Sequence, residues 1–155
     1  MKKPLDVLAM VLLLVFAFTG LQDVRANEAD EAYKTGLEYY NGEGVPQDYR
    51  AAMEWFQKAA DKGVAAAQFC IGTLYADGKG VTQDYQEAMK WYRKAADKGL
   101  ADAQLAIGVL YFNGQGVTQN YAEALKWYRK AADKGHAEAQ CNVADLYAGG
   151  RGQYC

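Results

Sequence analysis

The chain has 155 residues, 51% of them apolar, with 17 basic and 19 acidic side chains and a formal net charge of −2. That near balance, without a basic cluster, argues against nucleic acid and against anionic membrane surfaces as partners. One histidine, and cysteines without ligand spacing, supply no zinc site, and no motif calls for any other cofactor.

The first element is a targeting segment. Lys2 and Lys3 precede an apolar run from Val7 to Gly20, and Val24-Arg25-Ala26 sets small residues where a signal peptidase reads, which predicts a cut before Asn27. The run is shorter than the ~20 residues of a membrane-spanning helix, and retention as an anchor is the lesser alternative. The segment resembles a bacterial secretory signal, and no cysteine follows it to receive a lipid. Residues 1–26 are therefore assigned to a cleavable signal peptide, and the mature chain to the periplasm or the medium. Loss of Lys2, Lys3, Arg25, Asp6 and Asp23 with that segment leaves 14 basic and 17 acidic residues, so no membrane contact is expected after cleavage.

From residue 29 the chain repeats itself every thirty-six residues. Gly42, Gly78, Gly114 and Gly150 form one column, Tyr39, Tyr75, Tyr111 and Tyr147 another, and Trp55, Trp91 and Trp127 a third. Such a period marks a solenoid of supersecondary units. The units run 29–63, 65–99 and 101–135, with a partial copy at 137–152; together they place one solenoid over 27–152 and leave 153–155 as a non-repeat tail.

Within the second unit, Gln68, Ile71, Gly72 and Tyr75 share a face at helical spacing and predict a helix A over 65–76. Gly78 and Gly80 end it. Asp84 with Glu87 has the spacing of a capping box, repeated by Asn120 with Glu123, in which each side chain satisfies a backbone N–H. Tyr85, Ala88, Tyr92, Ala95 and Ala96 give helix B its apolar face, and Gly99 stops it. Gly36, Gly72 and Gly108 lie inside helix A at a cost of about 1 kcal/mol each relative to alanine, which close helix packing explains. Ala144 in the same column points to a need for smallness rather than for a special backbone angle. The Gly-x-Gly loops follow helices, not strands, and are read as turns rather than phosphate cradles.

The motif that these columns spell, AxxxxGxxYxxGxGVxxDYxxAxxWYxKAADKG, resembles the Sel1-like repeat, a relative of the tetratricopeptide repeat, over nearly all of 29–152. The resemblance implies an all-α fold, a right-handed α-solenoid of antiparallel helix hairpins in which helix A lines the inner surface. It also implies a non-catalytic adaptor in protein complexes. A cysteine-rich secreted subclass staples each hairpin with one cysteine in helix A and one late in helix B. Here the late positions are Ala59/Ala60, Ala95/Ala96 and Ala131/Ala132, so the penicillin-binding or β-lactamase activity attributed to that subclass does not carry over.

No catalytic residue is assigned. His136 occupies the joint slot held by Val64 and Leu100, and Asp48, Asp84, Glu87 and Glu123 have capping roles. Function is instead sought where the units differ, since packing fixes Tyr39/75/111/147 and Ala52/88/124 as core. Four helix A columns vary: Lys34, Cys70, Ala106, Asn142; Leu37, Thr73, Val109, Asp145; Tyr40, Ala76, Phe112, Ala148; and Asn41, Asp77, Asn113, Gly149. Their spacing makes one stripe, a mixed apolar and polar groove suited to an extended peptide or a partner helix. The partner-binding residues drawn from it are Lys34, Leu37, Tyr40, Asn41, Thr73, Asp77, Val109, Phe112, Asn113, Asn142 and Asp145.

Cys70 and Cys141 stand two hairpins apart, roughly 20 Å, and cannot bridge. Cys141 meets Cys155 only if the tail folds back along helix A. The fourth unit lacks a helix B: either its helix A caps the solenoid, leaving Val143, Leu146 and Tyr147 partly exposed, or the sequence is a fragment. The expected function is that of an exported bacterial scaffold or regulator for a protein or peptide partner in the cell envelope. The alternatives are a secreted host-interaction factor and, last, an envelope hydrolase of peptidoglycan or a β-lactam.

Overall fold

The structure, a computed structural model, describes the backbone of residues 7–149 and the side chains of residues 24–149. It contains helices α1 (Val7–Asn41), α2 (Tyr49–Asp61), α3 (Ala65–Asp77), α4 (Tyr85–Asp97), α5 (Ala101–Asn113), α6 (Tyr121–Ala132) and α7 (Ala137–Tyr147), with no strand among the described residues. The later part of α1 pairs with α2, α3 with α4 and α5 with α6, and successive hairpins stack through α2 on α3, α4 on α5 and α6 on α7. This is the expected α-solenoid: α2, α4 and α6 begin thirty-six residues apart, as do α3, α5 and α7. Among the described residues, no helix is long and apolar enough to cross a membrane. Helix α1 runs unbroken past Asn27, and Ala29 is the first residue of it described as buried.

Each helix B begins at a side-chain cap, but the capping box is only half made. Asp84 accepts from the N–H groups of Gln86 and Glu87 at 2.8 and 3.0 Å, and Asn120 from that of Glu123 at 3.0 Å. The reciprocal bond is absent, because the N–H of Asp84 donates to the Tyr75 carbonyl and that of Asn120 to the Tyr111 carbonyl, at 2.9 and 2.8 Å. Glu87 and Glu123 pair instead with Lys90 and Lys126. The loop from helix A thereby claims the donor that a free helix terminus would have left open.

Smallness does explain the helix A glycines. A Cβ on Gly72 would lie 2.6 Å from ring carbons of Tyr92, and one on Gly108 2.5 Å from those of Tyr128; neither glycine has a positive φ. The second loop glycine is also a contact. Gly80, at φ 73°, lies against the start of α2, where a Cβ would meet the Tyr49 backbone at 2.8 Å. Between units, Ala67, Ile71, Ala103 and Ile107 are wholly buried. Lys98 and Lys134 add a recurring bond, each donating to the carbonyl of a glycine one unit back, Gly63 and Gly99.

One expectation is corrected. Ala52, Ala88 and Ala124 are wholly buried, but Tyr39, Tyr75 and Tyr111 are half-buried and Tyr147 is 60% exposed. Tyr75 packs on the first and second core clusters and Tyr111 on the second and third, so this column joins units instead of filling one. In α7, Val143 and Leu146 pack against the third cluster, leaving Tyr147 as the exposed aromatic, with the Arg129 guanidinium 5.2 Å from its ring. Cys70 is a free thiol. The Cys141–Cys155 pairing and the 153–155 tail fall on residues outside those described.

Candidate partner-binding groove

The four variable columns do not share one environment. Lys34, Asn41, Asp77 and Asn113 are exposed, and Leu37, Tyr40, Thr73, Val109 and Asp145 are half-buried. Phe112 and Asn142, at 7% and 8% exposure, lie beneath the surface. In the first unit, Leu37 and Tyr40 pack on the core. Asn41 donates to the Glu43 carboxylate at 3.0 Å, as Asn113 does to the Gln115 side-chain carbonyl at 3.3 Å. Tyr40 is tied to Asp77 through Lys79, whose ammonium stands 3.3 Å from the phenol oxygen and 2.9 Å from the carboxylate. Those bonds, to Asp77 first and then Tyr40, hold Lys79 well above the usual lysine range.

What the structure adds is a cavity of about 460 Å³ across the second and third units. Its apolar lining includes Phe69, Ala76, Leu105 and Val109, with Tyr85 and Tyr92 from α4 and Asp77, Asp102 and Glu138 among its polar residues. Its origin can be read from the repeat. Tyr40 stacks edge-on against Tyr49 at 5.3 Å, and Phe112 against Tyr121 at 5.1 Å. The second unit has Ala76 opposite Tyr85, so the ring that fills this place on either side is missing and the space opens. Of the expected residues, Asp77 and Val109 line the cavity. Thr73 supports it from behind, donating to the Phe69 carbonyl at 3.2 Å and accepting from the Tyr92 hydroxyl at 3.4 Å.

Phe69, Leu105, Asp102 and Glu138 were not expected there. Their columns also vary, reading Tyr33, Phe69, Leu105, Cys141 and Asp30, Ala66, Asp102, Glu138, so the same comparison of units held the signal. At the cavity's edge His136 stands 3.2 Å from the Asp102 carboxylate through Nε2, and its Nδ1 accepts from the Ala139 N–H at 3.4 Å. Nε2 thus ties the start of α7 to α5, while Nδ1 caps the N-terminus of α7 itself. Burial pushes the Cys70 thiol up to about 11, and burial, then Cys70 and Asp102, push the Tyr33 phenol up to about 12. Near neutral pH neither supplies a nucleophile. No group of three or more histidine, cysteine, aspartate or glutamate side chains is placed to hold a metal ion among the described residues.

A stack of helix hairpins whose variable residues border an open cavity defines an α-solenoid of repeated helix pairs. The chain belongs to the Sel1 repeat family: the repeat matches residues 32–64, 65–100, 101–136 and 137–154. Proteins of this family are generally protein-interaction scaffolds. The chain is similar to c5321, a protective antigen present in uropathogenic Escherichia coli strains, with 43% identity over 77% of this chain and 26% of that one and a TM-score of 0.75. It is also similar to a Sel1 repeat protein from Oxalobacter formigenes, with 36% identity, 81% and 52% coverage and a TM-score of 0.73. Helicobacter pylori cysteine rich protein B shares the fold at 22% identity, with 78% and 92% coverage and a TM-score of 0.61. The chain therefore spans 26% of the first of these proteins and 52% of the second. No curated protein matches it.

Proposed function

We propose that this protein is an exported scaffold that holds a peptide or protein segment of an envelope partner in the groove of the second and third units, making and breaking no bond. The observation that carries this reading is the ring missing at Ala76, which opens a cavity where the neighbouring units are filled. It also supplies the test. Ala76→Phe puts back a side chain that the fold accommodates at Phe112, so the variant should keep its helical circular dichroism. In crosslinked pull-downs from envelope extract, a partner held by the wild type should fall at least about tenfold with the variant, a loss of about 1.4 kcal/mol. Identical partners for the two proteins, or none, would overturn the reading.

Export rests on the sequence of residues 1–26. Expression of the full chain in a Gram-negative host should yield a periplasmic product whose mass begins at Asn27; an uncleaved, membrane-bound chain would refute it. A second reading, a secreted factor met by a host, has the 43% identity with the protective antigen c5321 in its favour. Recovery of the protein from the medium rather than the periplasm would select it.

A further inference from the structure

We infer that the occupant of the groove is a segment carrying an apolar side chain next to a lysine or arginine; the inference rests on the reading of the groove given above. The half-buried Phe69 and Val109 offer an apolar seat with Leu105 beneath them, and the three carboxylates of Asp77, Asp102 and Glu138 line the same cavity, which no lysine or arginine lines. Their charge is only partly met from within the protein. Among the described residues, Asp77 has Lys79 at 2.9 Å, while Asp102 has only the imidazole of His136, at 3.2 Å. Among the described residues, no cation is paired with Glu138.

The same carboxylates act beyond the rim. After burial, which is the main cause in each case, Asp77 adds to the upward shift of the Tyr92 phenol, Glu138 to that of Tyr128 and Asp102 to that of Tyr33. Of these phenols only Tyr92 is among the lining residues, and a cleft lined by three carboxylates concentrates cations. An acidic segment seated on Phe69 and Val109 would be repelled, and a neutral one would cover carboxylates without pairing them. A lysine or arginine answers both demands, laying its methylenes along the apolar lining while its head reaches the rim.

The test is selection from a random peptide library on the protein as purified from cells expressing the full chain, followed by fluorescence anisotropy with one selected, labelled peptide. Enriched sequences should join an apolar residue to lysine or arginine. Asp102→Asn and Glu138→Gln should each weaken the labelled peptide about two- to fivefold, the range for exposed ion pairs, and the difference from wild type should shrink in high salt. Neutral or acidic selected sequences, or indifference to both substitutions, would overturn the preference for a cation. If Ala76→Phe still abolished that binding, the groove would stand without the preference. Peptides insensitive to Ala76→Phe, or no enrichment at all, would remove both.

Discussion

The outward face of the first unit and the joints between later units are built on the same columns and solve opposite problems. Where the joints bury Ala67 and Ile71, or Ala103 and Ile107, beside the half-buried Val64 or Leu100, α1 carries Glu31, Thr35 and Glu28. Glu28 pairs with Lys62, which holds its carboxyl below the usual range, and Thr35 donates to the Glu31 carbonyl at 3.0 Å. Trp55 and Trp91 both pack on the first core cluster and Trp127 on the second, but Trp55 also borders an open hollow of about 490 Å³ lined by Glu28, Glu31 and Thr35. A solenoid joint is therefore a short list of apolar columns. Exchanging three of them for polar residues turns a joint into a solvated end without changing the hairpin, as the outer face of a repeat array requires.

The harshest way to break that contrast is to write the end's residue into a joint. Ala67→Glu sets an unpaired carboxylate at a wholly buried position, and urea unfolding should show a loss of at least about 4 kcal/mol. A loss below about 1 kcal/mol would mean that the joint opens readily and that burial there is not what holds the units together. Inside a hairpin, Gly108→Ala should cost about 1–3 kcal/mol, because overpacking against Tyr128 exceeds the gain of about 1 kcal/mol in helix propensity. Stabilisation instead would show that the Tyr128 ring moves aside freely. Smaller again, Asp84→Ala should cost about 1 kcal/mol, while Glu87→Gln leaves the unfolding midpoint in place, since only Asp84 caps the backbone. Equal losses would restore the full capping box.

How far the chain could be read beforehand follows the same division between columns. The period, the helix limits near Ala65, Asp84 and Gly99, and the purpose of Gly72 are local or repeated facts, and the structure bears them out. The groove was legible only in part. Variation between units marks which positions are free, but the angle at which one hairpin stacks on the next decides which free positions face each other. Phe69 and Leu105 vary while staying apolar, so they look like core. Asp102 and Glu138 stand one turn earlier in helix A than the chosen stripe. Variation in its column, which holds alanine elsewhere, points Phe112 to the groove; the Tyr121 ring packed edge-on against it explains its burial, and no periodicity of one helix reveals that contact.

The gentlest test acts on the solvated end itself. Replacing Glu28, Glu31 and Thr35 by the valine, alanine and isoleucine of the second unit gives the first unit a joint with nothing to join. If those columns alone distinguish end from joint, the hairpin should remain folded and the unfolding midpoint at low concentration should hardly move, because within their own hairpin the three side chains contribute only the exposed Glu28–Lys62 pair and a bond from Thr35 to its own helix. The consequence should appear between molecules. Trp55 would then border an exposed apolar patch, and sedimentation velocity should show self-association that grows with concentration and is absent from the wild type. A variant that stays monomeric would mean that shape, set by the continuing α1 backbone, keeps this face apart as well as its charge.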